Sequence, residues 1–163
     1  MVRFLNTLWI YILVGILLGA YIYQEVEAEI PCPLCMLQRL AMICMAIGPM
    51  LNLRVKVSTV HYGISLLSCI FGGTVSLRQI ALHICPGFPT FGIRIFGLEL
   101  YTWAFLVFAC SLLGLALLLF LYKREEKRPL NLFEKGAFAA ILLITLSNCI
   151  TTFLECGLSA CSE

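Results

Sequence analysis

Charge is scarce in this chain: Lys and Arg together number 11, and Asp plus Glu only 9, in 163 residues. The net charge of +2 is small and, one basic segment apart, unclustered, so no basic stripe of the kind that tracks nucleic acid is present. Histidine is scarcer still, with 2 residues, which leaves few nitrogen ligands for a zinc site. There is no internal repeat and no low-complexity tract, so the chain reads as one domain. What is abundant is apolar surface. The chain is 61% hydrophobic with a mean hydropathy of +1.00. A soluble domain of this length does not carry so much, and the apolar runs are continuous rather than alternating. Lipid leaves backbone groups no water to bind, so continuous runs mean helices.

Five spans are expected, at about 8–24, 36–53, 58–82, 101–122 and 134–154. The first follows Arg3. Its end, Tyr21-Ile22-Tyr23-Gln24, is a poor small-residue cleavage site, so a retained signal-anchor helix is expected rather than a removed signal peptide. The second holds Gln38 and Arg39 at its start and Gly48-Pro49 within, which predicts a short or kinked helix. Gly15, Gly19, Gly72, Gly73 and Gly114 are expected to let helices approach closely. The apolar but broken segment from Gly87 to Leu100 reads as a loop on the membrane surface.

Loop charges orient the bundle. Arg3, Arg54, Lys56, Lys123, Arg124, Lys127, Arg128 and Lys135 fall on one side; Arg39, Arg78 and Arg94 fall on or near the other. The positive-inside rule then puts the N-terminus in the cytoplasm and, after five spans, the C-terminal tail outside. Cys32, Cys35, Cys85, Cys156 and Cys161 sort to the outer face and Cys44, Cys69, Cys110 and Cys149 to spans, where they read as small apolar packing residues. Cysteines gathered on one face point to thiol chemistry on an oxidising side.

The most informative element is Cys32-Pro33-Leu34-Cys35 with Arg39 beyond it. Two thiols so spaced form an exchangeable disulfide or hold a soft metal. A structural zinc site needs more ligands, so a redox pair is the better reading. If the second helix starts near Pro33, its free N–H groups favour a thiolate in the first turn. Arg39, one turn past Cys35, adds a fixed positive charge on the same face. The same guanidinium suits an electron acceptor that passes through anionic forms, as quinones do. His83 lies near Cys85, where it could assist a thiolate or sit at the interface.

Ile30 to Arg39, with its CxxC and arginine, resembles the first periplasmic motif of the DsbB family, quinone-dependent disulfide-generating proteins of bacterial inner membranes. Phe96 to Trp103 is similar to the stretch leading into that family's fourth helix, and Arg78-Gln79 also fits its pattern. The resemblance runs over about residues 1–122. It implies an all-α membrane protein with a DsbB-like four-helix transmembrane bundle. To this the chain adds a basic loop, a fifth C-terminal transmembrane helix and a cysteine-containing tail over 123–163. It further implies a bound quinone, ubiquinone or menaquinone, and a soluble thioredoxin-like partner of the DsbA type. Cys32 and Cys35 match the quinone-coupled pair, with the second cysteine nearest the quinone. Arg39 matches the quinone-site arginine.

The family's loop between the third and fourth helices carries two partner-facing cysteines; here it holds Cys85 alone. Cys156 with Cys161, or Cys85 with one of these, would replace that pair. A tail pair that reacts directly with the CxxC is a third arrangement, and a static brace a fourth. Two other functions are weighed. A quinone reductase of the vitamin K epoxide reductase type also uses a CxxC, but places its loop cysteines before it. A non-catalytic protein that binds or transports a soft metal would use the outer cysteines as ligands.

Overall fold

The computed structural model describes residues 2–27, 32–84, 94–122 and 128–156. Its helices are α1 (Val2–Glu27), α2 (Pro33–Arg54), α3 (Thr59–Ile84), α4 (Leu100–Phe120) and α5 (Leu132–Cys156). All five are long and apolar enough to cross a membrane. The shortest, α4, has 21 residues, which at about 1.5 Å per residue matches a hydrocarbon layer of about 30 Å. The described chain is thus an all-α membrane bundle, with α1, α3 and α5 running one way and α2 and α4 the other. Cys32, at the start of α2, marks one end of this bundle and Arg3, at the start of α1, the other.

Helix α1 begins at Val2, ahead of the expected start, because Arg3 lies inside the bundle rather than flanking it. Arg3 is 3% exposed and forms a two-pronged ion pair with Glu134 of α5, at 2.9 and 2.8 Å. Glu134 has a second task. Asn131, the residue before α5, accepts the Glu134 N–H at 2.8 Å and gives its own N–H to the Glu134 carboxylate at 3.0 Å. This reciprocal capping box starts the helix, so one carboxylate both begins α5 and docks it on α1. Phe133 packs its ring 4.9 Å from that of Tyr11, and the Tyr11 hydroxyl donates to the Phe133 carbonyl at 3.1 Å. Only the first half of α5 is seated. Glu134, Ala137 and Ile141 are buried, and no described side chain beyond Ile141 is.

Helix α2 is not cut short at Pro49: it runs on to Arg54, continuous across the proline. A proline lacks the N–H that would bind the carbonyl four residues back, here Met45. The Ser65 hydroxyl of α3 supplies the missing donor, at 2.7 Å from the Met45 carbonyl. Gly48 makes this reach feasible, because any Cβ there would run into the Ser65 hydroxyl and the His61 carbonyl.

The other glycines divide. Gly72 lies against the Phe108 ring. A Cβ on Gly114 would meet Trp9 at 2.8 Å. Gly72 permits close approach of α3 to α4, and Gly114 makes room on α4 for the Trp9 ring of α1. Gly73 is in ordinary contact, its Cβ position 3.8 Å from Phe108. Gly15 and Gly19 have nothing within 4 Å of a Cβ position, so the packing role expected for them is incorrect; they border open space. The expectation that span cysteines bury also holds only in part. Cys69 is buried against Met45, whereas Cys110 and Cys149 face outward.

Of the expected surface loop, residues 94–99 are described and form a tight turn. Ile95 and Leu98 exchange backbone hydrogen bonds at 2.9 and 3.1 Å. Between them Phe96 and Gly97 adopt φ of 51° and 80°, the left-handed pair of a two-residue hairpin turn. Arg94 pairs with Glu99 at 2.7 Å, and the Trp103 indole N–H holds the Ile95 carbonyl at 3.0 Å. Residues 85–93 lie outside the described residues.

Candidate active site

At its cysteine end the bundle parts to leave a cavity of about 350 Å³. Gly15, Ile16, Gly19, Ala20, Tyr23 and Gln24 of α1 form one wall; Leu100, Tyr101, Trp103, Ala104 and Val107 of α4, with Ile95 of the turn, form the opposite one. Between them lie Cys32, Cys35, Gln38, Arg39 and Met42, from α2 and the residue before it. Where Trp9 meets Gly114 the walls touch; where Gly15 and Gly19 replace larger side chains they do not.

Cys32 occupies the N-cap of α2 in an extended conformation, followed by Pro33. Proline suits this first helical position because its missing N–H would have no partner there anyway. The first helical bond runs from the Met36 N–H to the Cys32 carbonyl at 3.1 Å. The Cys32 thiol is lowered to about 6, chiefly by a hydrogen bond from the Cys35 thiol. Partial burial opposes the shift, while the free N–H groups of Cys35 and Leu34 and the charge of His83 add to it. A helix start that exposes N–H groups to a sulfur is a recurrent means of activating a thiol. Both cysteines are partly buried.

Arg39 donates to the Ala20 carbonyl of α1 at 3.0 Å. It thereby ties α2 to α1 beside the cavity while its guanidinium remains part of the lining. Two amides to which the sequence gave no role, Gln38 and Gln79, complete the site. Gln79 of α3 places its side-chain nitrogen 3.7 Å from the Cys32 sulfur and 3.5 Å from the Cys35 sulfur. Its oxygen accepts from Gln38 at 2.8 Å. The legible signal was an amide inside an apolar span, which needs a partner. His83, one turn further, stacks on Tyr101 with ring centroids 4.9 Å apart. Its Nδ1 donates to the Gln79 carbonyl at 2.7 Å.

The structure therefore gathers Cys32, Cys35 and Arg39 around one cavity. Cys85 and Cys161 lie outside the described residues. Cys156 is the last residue of α5, which ends at the cysteine end of the bundle; its side chain is likewise outside the description.

A family model described as "Disulfide bond formation protein DsbB" matches residues 2–91. The chain belongs to the DsbB family. The matched stretch contains the CxxC, Arg39, Gln38 and Gln79, and ends before α4. No curated protein and no solved structure gives a significant match. At the level of the family this is a multi-pass membrane protein of disulfide bond formation, with the thiol oxidase chemistry that implies.

Proposed function

We propose that the chain is a thiol oxidase of the bacterial inner membrane that draws electrons from a soluble thioredoxin-like dithiol of the DsbA type and delivers them through its CxxC to a membrane quinone, ubiquinone or menaquinone. The observation that carries this reading is the cavity: mostly apolar, walled by α1 and α4, and ending on Cys32, Cys35 and the Arg39 guanidinium. The residues fit such a group. A flat apolar ring needs apolar walls and a donor for its oxygens, and Arg39 offers a donor whose charge does not titrate. A quinone bound there would supply a two-electron acceptor. Arg39 would hold and orient its ring, while the apolar walls exclude water. Cys35 would be the sulfur turned toward it, and Cys32, with its lowered thiol, the one that exchanges with a second disulfide.

That second pair would be Cys156 with Cys161, or Cys85 with one of them; Cys156 closes α5, which ends at the cysteine end of the bundle. The loop charges make that end periplasmic and the N-terminus cytoplasmic. The test is quinone reduction by the purified protein supplied with a reduced thioredoxin-like dithiol. Cys35→Ser should abolish turnover. Cys85→Ser and the Cys156→Ser/Cys161→Ser pair should show which sulfurs receive the partner's electrons. Full turnover in Cys35→Ser would refute the proposal.

A further inference from the structure

Gln38 and Gln79 are 5% and 1% exposed. Each lies on a membrane-crossing helix, where an amide without partners is strongly disfavoured. Their contacts have a direction. The Gln38 NH2 donates to the Gln79 side-chain oxygen at 2.8 Å. That bond occupies the oxygen and turns the Gln79 NH2 the other way, toward Cys32 at 3.7 Å and Cys35 at 3.5 Å. An NH2 has two hydrogens, and two sulfurs stand in front of it.

We propose that Gln79 is a catalytic donor to the CxxC sulfurs and that Gln38 is the positioning residue that keeps its NH2 facing them. The inference rests on the CxxC being the redox pair of the reading above. A sulfur in a disulfide is a weak acceptor; a thiolate is a strong one. Consider the opening of a Cys32–Cys35 disulfide by an incoming thiolate. A new S–S bond forms between the incoming sulfur and one cysteine, the Cys32–Cys35 bond breaks, and its electron pair leaves on the other cysteine as a thiolate. The incoming sulfur is oxidised, the departing one is reduced, and no proton is consumed. The Gln79 NH2 reaches either sulfur, so it meets the new charge whichever bond breaks. Because it binds the reduced form more strongly, it makes the CxxC a better oxidant. Both amides are neutral at every physiological pH, so the donor itself does not titrate; only the sulfur it faces does. The ionisable groups around the sulfurs among the described residues are Arg39 on α2, His83 on α3, Tyr23 on α1 and Tyr101 on α4.

The experiment equilibrates the purified full chain in dithiothreitol buffers of graded redox poise. The fraction of Cys32–Cys35 disulfide is read by mass tagging of those two cysteines. Gln79→Leu should shift the equilibrium about tenfold toward the disulfide, or about 30 mV for a two-electron couple. Gln38→Met leaves residue 79 intact, adds no charge and removes the donor that occupies the Gln79 oxygen. The Gln79 amide should then lose its fixed direction, and the equilibrium should shift the same way by a smaller factor. If both variants stay within about twofold of wild type, the donor role is wrong, even if their melting temperatures fall, since lost packing alone would produce that. If Gln79→Leu fails to fold, Gln38→Met decides. No quinone is needed, so a protein that shows both shifts yet reduces no quinone would overturn the oxidase reading and keep the donor. A wild type whose pair never closes would overturn both.

Discussion

At the Arg3 end of the bundle, polar groups join one helix to another. Arg3 holds Glu134, the Asn6 amide donates to the Tyr62 hydroxyl at 2.9 Å, and the Asn52 oxygen accepts from His61 at 2.8 Å. At the cysteine end polar groups also cross between helices, Gln38 to Gln79 and Arg39 to the Ala20 carbonyl, but they face sulfur and open space as well: Gln79 the two thiols, Arg39 the cavity. The glycines follow the same division. Gly48 lies under Ser65 and His61, whereas Gly15 and Gly19 border the cavity. A tightly joined end lets the other end remain loosely packed around reactive groups, because helix order is already set elsewhere. Changes at one end should therefore read out as stability, and changes at the other as chemistry.

The largest effect is expected from Glu134→Leu, which leaves Arg3 buried without its carboxylate. Loss of one partner of a buried pair typically costs about 3–5 kcal/mol, seen as a fall in thermal unfolding temperature in detergent. Arg3→Met combined with Glu134→Leu should recover most of it, and the CxxC equilibrium should be unmoved in both. A shift of that equilibrium would break the separation of the two ends.

Next comes the thiol profile. Alkylation of Cys32 in the reduced protein should climb as pH passes through about 6 and not through the ordinary cysteine range near 8.5. The sign follows from the depressed folded-state value: the thiolate's contribution to the stability of the reduced form is complete above the unfolded value and is lost as pH falls through about 6. Cys35→Ala removes the chief cause and should move the climb upward.

Gly48→Ala should destabilise by about 1–3 kcal/mol, as overpacking does, because the His61 carbonyl it meets is backbone and cannot rotate away. Smallest in stability is Gly15→Leu. It should change unfolding by no more than about 0.5 kcal/mol while, on the proposed function, raising the KM for quinone, since Gly15 lines the cavity. Equal losses of stability in the two glycine variants would erase the contrast between them.

The spans were legible because lipid demands continuous apolar runs, and the CxxC with Arg39 because its spacing has few uses. What could not be read were relations between distant residues. Arg3 looked like a flanking charge, since its carboxylate partner is 131 residues away. Pro49 looked like a break because the donor that mends it sits on another helix. Gly15 and Gly72 are the same letter in the same kind of run; only the fold decides which faces Phe108 and which faces open space. Gln79 was visible as a polar residue in a span, but its orientation depends on Gln38, and no window of sequence holds both.

The pairing of Arg3 with Glu134 also has a consequence in time. During synthesis Arg3 emerges 131 residues before its partner. Through the insertion of α1 to α4 its guanidinium has no Glu134 to neutralise it, and it must stay in contact with water or headgroups. The arrival of α5 supplies the carboxylate that answers it. The last helix thus neutralises a charge carried by the first, and a chain interrupted before Glu134 would carry an unneutralised arginine as a sign that it is incomplete.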